Sequence, residues 1–553
     1  MSATSATAPL DGLREAVRDA ALSVRGESGD VGRVAAEPRL ERPKRAGQGD
    51  YSTNAAMLLA PALGVPPRDV AERLSSALAE VLGSALDRTE VAGPGFLNLF
   101  LADDWYRGAL ASVLSAGEEY GRGGATRAER ILVEFVSANP TGPLVAASGR
   151  HAAYGDALAR ILAHHGHTVS REYYFNDAGG QVRRLGLSVQ ARARGEDVPE
   201  DGYQGEYIAD VAREIPDAAS LDVDAVAARA VELLLAQIKA TLERFGVRFD
   251  VFFSERVLHE GSPSPIERVL SDLEAAGQAY RSEGALWLRT SAYGDHEDRV
   301  VVRSNGEPTY FAADLAYMLD KRARGFELQL DPVGADHHAW ASSVKAGMAA
   351  LGGDPDTIEV PLIQFVHLAE GGERAAMSKR RGEFVTLDEL LDEIGVDVCR
   401  YFMLQRSHDR TLDLDLSLAR QQTRDNPVYY IQYAHARIAS MLRRFAPERV
   451  AAAVSEAGGW GSGELHPSER ALVMRLAAFP DDVAEAADRR APHRIASFAL
   501  ELAQDFTAFY RDCHVVGATP EATESFRIAL SAASQRTIAL ALGLLGVSAP
   551  ESM

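Results

Sequence analysis

A short run at 131–135, Ile-Leu-Val-Glu-Phe, leads into the turn Asn139-Pro140-Thr141-Gly142-Pro143, and a helical pattern then runs from Ser148 to about residue 165 and stops at Gly166. A second strand pattern follows at 168–174. Strand, turn, helix and strand in this order predict a βαβ unit, whose crossover is right-handed because twisted strands pack back onto a sheet only that way. Two prolines and a glycine fix the turn so that backbone can approach a ligand closely. Ser148 is placed to cap the helix and Gly166 to close it. The turn lies where an α/β sheet presents N–H groups and a helix N-terminus to phosphate.

Further strands are expected at 299–303, 328–333 and 359–368, with helices at 310–323 and 337–351. This pattern predicts an α/β fold with a doubly wound, parallel, Rossmann-like sheet and a ligand crevice at the carboxyl ends of its strands. The stretch 185–290, with a helix near 224–245, reads as an insertion in that core. Before it, helical patterns at 10–25 and 67–83 and a strand at 96–101 after Gly93-Pro94-Gly95 predict an α+β N-terminal unit. Gly121, Gly123 and Gly124 mark its end. After about residue 420 strand signals nearly vanish, and helical segments at 427–445, 469–487, 492–511 and 520–545 predict an all-α bundle. Three domains are therefore expected, at 1–120, 121–420 and 421–553, which suits a 553-residue chain.

No basic segment followed by an apolar one opens the chain, and no run of 18 apolar residues is present, so no membrane role is expected. Two cysteines, Cys399 and Cys513, are too few for a disulfide framework or a four-ligand zinc site. A net charge of −21 argues against nucleic acid as a partner, but a polyanion meets the local field, and Lys379-Arg380-Arg381, Arg183-Arg184 and Arg443-Arg444 are local basic clusters. The first of these belongs to Met377-Ser378-Lys379-Arg380, between Gly371-Gly372 and a helix with a Thr386/Glu389 capping box closed by Gly395. A mobile basic loop there would place Lys379 on a developing pyrophosphate charge.

Taken with the segments above, Asp50-Tyr51-Ser52-Thr53-Asn54, Arg171-Glu172-Tyr173-Tyr174-Phe175-Asn176-Asp177, Tyr310-Phe311-Ala312-Ala313-Asp314, Gly334-Ala335-Asp336-His337-His338 and Asn426-Pro427-Val428-Tyr429-Tyr430 occur in an order that resembles arginyl-tRNA synthetases, of class I, over nearly the whole chain. The resemblance implies an arginine–tRNA ligase that forms arginyl-adenylate from arginine and ATP with Mg2+ and passes the arginyl group to tRNA. It implies an N-terminal domain near the tRNA elbow, a helical anticodon-binding domain and no tightly bound cofactor. A cytoplasmic monomer is expected.

A planar guanidinium with five donors needs carboxylates to accept them. Glu134 and Asp314 are expected to supply two, with Tyr310 four residues before Asp314 on one helix face, and with Asn139 and His337 also at the substrate. Gly142, Pro143, Asp336, His338, Met377 and Ser378 are expected at ATP, Asp336 taking ribose hydroxyls. A His337/His338 metal site is not expected, because no further ligand has suitable spacing. Asn54, Tyr433 and Arg437 are the expected tRNA contacts.

One departure stands out. Residues 145–148 are Val-Ala-Ala-Ser, where the family carries a "HIGH"-type tetrapeptide whose two histidines bind ATP phosphates. Losing one such donor costs about 100- to 1,000-fold in rate. The expected compensation is that Ser148, His151 one helical turn on, Lys379 and Arg380 hold ATP, helped by helix amides near Gly149 and a cation from Arg150 or Arg374. The alternative is a catalytically silent paralogue that binds tRNA or arginine.

Overall fold

The computed structural model describes residues 8–26, 37–43, 45, 47–371, 373–374, 385–455 and 457–553. At its centre five strands, β1 (Arg130–Glu134), β2 (Thr168–Phe175), β3 (Val251–Ser254), β4 (Leu328–Leu330) and β5 (Ile358–Glu359), pair in the order β5-β4-β1-β2-β3. Every pairing is parallel. Ile131, Leu132 and Val133 are fully buried, as strands covered on both faces require. Helices α1 (Ser148–His165), α2 (Tyr310–Ala323) and α3 (His338–Ala350) connect the strands. From β1 the chain moves outward to β2 and β3, then crosses back to β4 and β5. The switch point therefore lies between β1 and β4, and a crevice opens at their carboxyl ends. A Cβ at Gly155 in α1 would sit 2.1 Å from the Phe135 ring, so only glycine lets the helix lie on the exit of β1.

Two expectations about the core change. The stretch 185–290 is not wholly an insertion, because Val251–Ser254 inside it is the edge strand β3. The strand at 299–303 is not in the parallel sheet either. Arg299–Val302 pairs antiparallel with Ala285–Leu288 in a separate three-stranded sheet. The long strand expected at 359–368 is broken into Ile358–Glu359, Leu362–Ile363 and Val366–Glu370, with Pro361, which has no N–H to donate to a ladder, in the first break.

The N-terminal unit is a four-stranded antiparallel sheet backed by Pro9–Gly26, Ala55–Leu63, Pro67–Leu82 and Asp103–Ala116. The C-terminal unit is a bundle, whose expected helix at 469–487 divides into Pro467–Ala477 and Phe479–Asp488 because Pro480 restarts the helix. Glu521–Leu545 is long and apolar enough to pass as a membrane span by composition. It is a bundle core helix, with Ile528, Leu530, Ile538 and Leu542 fully buried. The bundle also grips α1: Tyr154 donates to the Arg490 carbonyl at 2.8 Å, and Arg400 bridges Asp156 and the Leu545 carbonyl at 2.5 and 2.9 Å.

Candidate active site

The crevice between β1 and β4 holds a cavity of about 550 Å³. Its wall begins where the chain leaves β1. Val136 and Ser137 take left-handed backbone angles, φ 68° and 41°, which are costly for residues with a Cβ and above all for β-branched valine. The kink turns the Ser137 hydroxyl back onto Glu134, to which it donates at 2.9 Å, while it accepts the Tyr174 N–H at 3.1 Å.

Four carboxyl groups, Glu134, Asp314, Asp331 and Asp336, line the cavity, and no Lys or Arg is among the described lining residues. The balancing cation is behind the wall. Lys321 of α2, fully buried, reaches Glu134 Oε2 at 2.6 Å and Asp331 Oδ1 at 2.7 Å, with the Tyr317 ring 4.4 Å away. Burial alone would lower its pKa, but the two carboxylates outweigh burial and hold it above the usual lysine range. Asp331 Oδ2 is buried and has no hydrogen-bond partner among the described residues. Burial, with Glu134 and Glu255 adding to it, pushes Asp314 up to about 7 against the 2.8 Å hydrogen bond from Trp340 Nε1. A pocket with spare acceptors and a carboxyl group starved of a counter-charge suits a cationic ligand with several donors.

At the other end Asp336 and His337 follow the end of the sheet, and both are exposed, with His337 Nε2 3.8 Å from Asp336 Oδ2. A Cβ on Gly334 would meet Asp336 Oδ1 at 2.5 Å, so the carboxylate lies directly over that glycine. His151 lines this end too. Desolvation, with the Arg150 charge adding to it, lowers its pKa to about 4.

The altered tetrapeptide departs from expectation in three ways. Ser148 is the first helical residue rather than a cap, with Ala147 at the N-cap position and no side-chain capping bond. The N–H groups of Ser148, Gly149 and Arg150 donate to Val145, Ala146 and Ala147, so these amides are already used. Arg150, 1% exposed, spends its guanidinium on the carbonyls of Gln364 and Ser407 at 2.8 and 2.9 Å and is walled off from any ligand. Leu144 and Ala146 are stitched to the chain just past residue 384. Ala146 donates to Val385, and Leu387 to Leu144.

Of the other expected residues, several lie outside the cavity lining. Asn139 bonds the Asn176 N–H and Gln181, which fixes the turn. Gly142 faces Tyr207, whose hydroxyl donates to Thr141 at 2.8 Å, and Pro143 is half-buried beside it. Tyr310, 62% exposed, stands at the first turn of α2, and exposed His338 opens α3. Met377, Ser378, Lys379 and Arg380 lie outside the described residues, and of the Arg374 side chain nothing is described.

Far from this cavity, Asn54 accepts the Arg39 N–H and lines a second one with Arg39, Arg42 and Phe96. In the bundle Tyr433 stacks on Tyr429, and Arg437 lies over Tyr433 and Tyr510 at 4.8 and 5.3 Å.

Sequence reasoning missed Lys321, Asp331, Ser137, Tyr174 and Trp340. Lys321 carried a signal, since it lies seven residues, two helical turns, after Asp314 and so on the same face. Trp340 carried none, because its reach to Asp314 depends on how α2 and α3 pack.

Family models match the chain in three consecutive stretches: "Arginyl tRNA synthetase N terminal domain" over residues 11–101, "tRNA synthetases class I (R), catalytic domain" over 109–423 and "DALR anticodon binding domain" over 431–553. The chain is 46% identical over 526 residues to an arginine–tRNA ligase of Frankia alni, covering 93% of this chain and 94% of the relative. It is 43% identical over 532 residues to an arginine–tRNA ligase of Carboxydothermus hydrogenoformans, with the same coverage. Among solved structures, the arginyl-tRNA synthetase of Thermus thermophilus superposes with a TM-score of 0.75 at 25% identity, covering 98% of this chain and 100% of that one.

Proposed function

The chain belongs to the arginyl-tRNA synthetase family, and on that premise we propose how its cavity serves the reaction. It is an ATP-dependent arginine–tRNA ligase. The observation that carries the assignment of the site is the lining itself: four carboxyl groups, no Lys or Arg among the described lining residues, and an orphaned acceptor on Asp331. Arginine enters with its guanidinium toward this wall, where Asp314 and Glu134 accept from it. Tyr310 closes over Asp314, and Asn139 and His337 take the amino-acid end.

ATP lies at the Asp336 end, its ribose on that carboxylate, with Gly142, Pro143, His338, Met377 and Ser378 contributing to its binding. The arginine carboxylate attacks the α-phosphorus, pyrophosphate leaves, and arginyl-adenylate remains. A hydroxyl of the terminal ribose of tRNA then attacks the arginyl carbonyl and AMP departs. No covalent enzyme intermediate is involved, so catalysis is positioning plus neutralisation of phosphate charge. With the helix amides and Arg150 otherwise engaged, that neutralisation rests on Lys379 and Arg380, with the Ser148 hydroxyl as a further donor. No group of three acidic, histidine or cysteine side chains among the described residues could cage an ion. Mg2+ therefore fits as a companion of the ATP phosphates, the usual mode for an ion that keeps several waters.

Asn54 faces the tRNA elbow, while Tyr433 and Arg437 offer a splayed anticodon base an aromatic face and a cation. The enzyme works as a monomer in the cytoplasm. Arginine-dependent exchange of pyrophosphate into ATP, measured with and without tRNA, tests the reading. Exchange that requires arginine supports it, and its absence under both conditions would leave a silent tRNA- or arginine-binding paralogue.

A further inference from the structure

Two side chains from different helices meet in the cavity wall. Trp340, in the first turn of α3, donates its indole N–H to Asp314 Oδ2 on α2 at 2.8 Å, and both residues line the cavity. The indole packs against the buried cluster of Met318, Val344, Met348 and Ile358, so the donor is held in place by the core. An indole N–H donates and never accepts. It can face an ionised oxygen or the carbonyl oxygen of an acid, but not an O–H. No other described residue hydrogen-bonds Asp314, so Oδ1 is the oxygen left for a ligand. The surroundings work in the opposite direction. Glu134 at the end of β1, Glu255 just past β3 and Tyr174 of β2 all face this carboxyl group, and burial adds to their effect. Against them stand the Lys321 ammonium further along α2 and the Trp340 N–H, of which only the second bonds Asp314.

This matters for which ligand heads the wall accepts. A guanidinium presents N–H donors all round its head, whereas the neutral urea of the same outline, as in citrulline, carries a carbonyl oxygen at one corner. A carboxylate accepts from the first and repels the oxygen of the second. A carboxyl group free to swing and to hold a proton would instead donate to that oxygen. We propose that Trp340 is a positioning residue for arginine selection: its N–H pins Asp314 Oδ2, so that the carboxyl group meets the ligand as a fixed acceptor through Oδ1, which admits a guanidinium and turns away a neutral urea. The proposal rests on the reading that Asp314 accepts from the arginine guanidinium.

The test is arginine-dependent pyrophosphate exchange by the full chain, with tRNA present, measured between about pH 6 and pH 8.5 with citrulline as competitor. Wild type is compared with Trp340→Phe, which keeps a ring and loses the donor. A second variant carries 3-benzothienylalanine at position 340 alone, where sulfur replaces the N–H in a ring of the same outline. Thermal unfolding is recorded for each. Loss of a hydrogen bond to a charged group is expected to raise the KM for arginine at least about tenfold in both variants. The kcat and the KM for ATP stay within about threefold of wild type, the mark of lost uniform binding. The inhibition constant of citrulline rises less, so the preference for arginine over citrulline falls at least about fivefold. The pH midpoint of the arginine KM moves upward, because the carboxyl group has lost a donor that favours its charged form. The proposal is overturned if the benzothienyl variant keeps the wild-type preference and midpoint, or if the KM values for arginine and ATP rise by one common factor, the mark of a loosened site. Asp314→Ala with a wild-type KM for arginine would count against the guanidinium reading of the cavity instead, so the two failures are distinguishable.

Discussion

Lys321 Nζ lies 2.6 Å from Glu134 Oε2 and wholly out of contact with solvent, so a carboxylate that lines the cavity is held from behind by a buried cation. The same ammonium holds Asp331 at 2.7 Å. Two carboxylates are thereby fixed in place with unused lone pairs toward the cavity.

Removing that cation is expected to cost more than a lost hydrogen bond. Lys321→Met leaves Glu134 and Asp331 facing each other uncompensated, and breaking a buried ion pair from one side costs about 3–5 kcal/mol. Denaturant unfolding should show the loss. Calorimetry with arginine should show binding weakened in whatever protein remains folded, and a variant as stable as wild type would refute the assignment.

On the proposed role of Asp314, arginine binding is expected to depend on pH. Its carboxyl is raised to about 7 in the empty site, and only the carboxylate can pair with a guanidinium. Bound arginine pulls the pKa back down, so binding releases a proton wherever the empty site is protonated. Affinity should be flat above pH 7.5 and fall by up to about tenfold per unit below pH 7. Titration calorimetry in buffers of differing ionisation heat would detect the released proton. Asp314→Asn should abolish the dependence along with most of the affinity.

Stability should fall on mild acidification. His164 donates to the Tyr120 carbonyl inside the junction between α1 and the N-terminal linker, and His408 and His493 lie where the catalytic domain meets the bundle. Burial lowers the pKa of all three below the ordinary 6.5. A folded-state pKa below the unfolded value means the unfolded chain binds more protons, so stability is lost as pH falls below about 6.5. Urea midpoints at pH 7.5 and 5.5 should differ accordingly, and less so in His164→Gln.

Val136 stores strain at the lip of the cavity. Its left-handed backbone costs about 1–3 kcal/mol, and glycine would relieve this while giving back about 0.5–1 kcal/mol in the unfolded chain. The valine side chain also packs against the core, and its loss offsets the relieved strain, so Val136→Gly should leave stability within about 1 kcal/mol of wild type. It should also raise the KM for arginine, because Ser137 loses its rigid approach to Glu134. A variant unchanged in KM would contradict this.

Much of the framework was legible because periodicity and punctuation agree with packing there. The strand ending at Glu134, the turn to Pro143, α1 closed by Gly166, α2 and the C-terminal bundle all follow from local pattern. The edge strand Val251–Ser254 was not, since four residues between helices look like connection until a neighbour supplies the ladder. Ser148 misled for a related reason: the chain enters α1 through tight turns that use the amides a capping side chain would otherwise satisfy. The acceptors Glu134 and Asp314 could be proposed from chemistry and resemblance, whereas the ion pairs of Lys321 with Glu134 and Asp331 arise only when distant elements meet.

The stitching of Leu144 and Ala146 to Val385 and Leu387 is made of main-chain atoms alone. Hydrogen bonds of that kind are indifferent to side-chain identity. Changes of side chain at 145 and 148 therefore leave the start of α1 fastened to Val385 and Leu387. The position of that helix start is set by backbone, whichever side chains stand at 145 and 148.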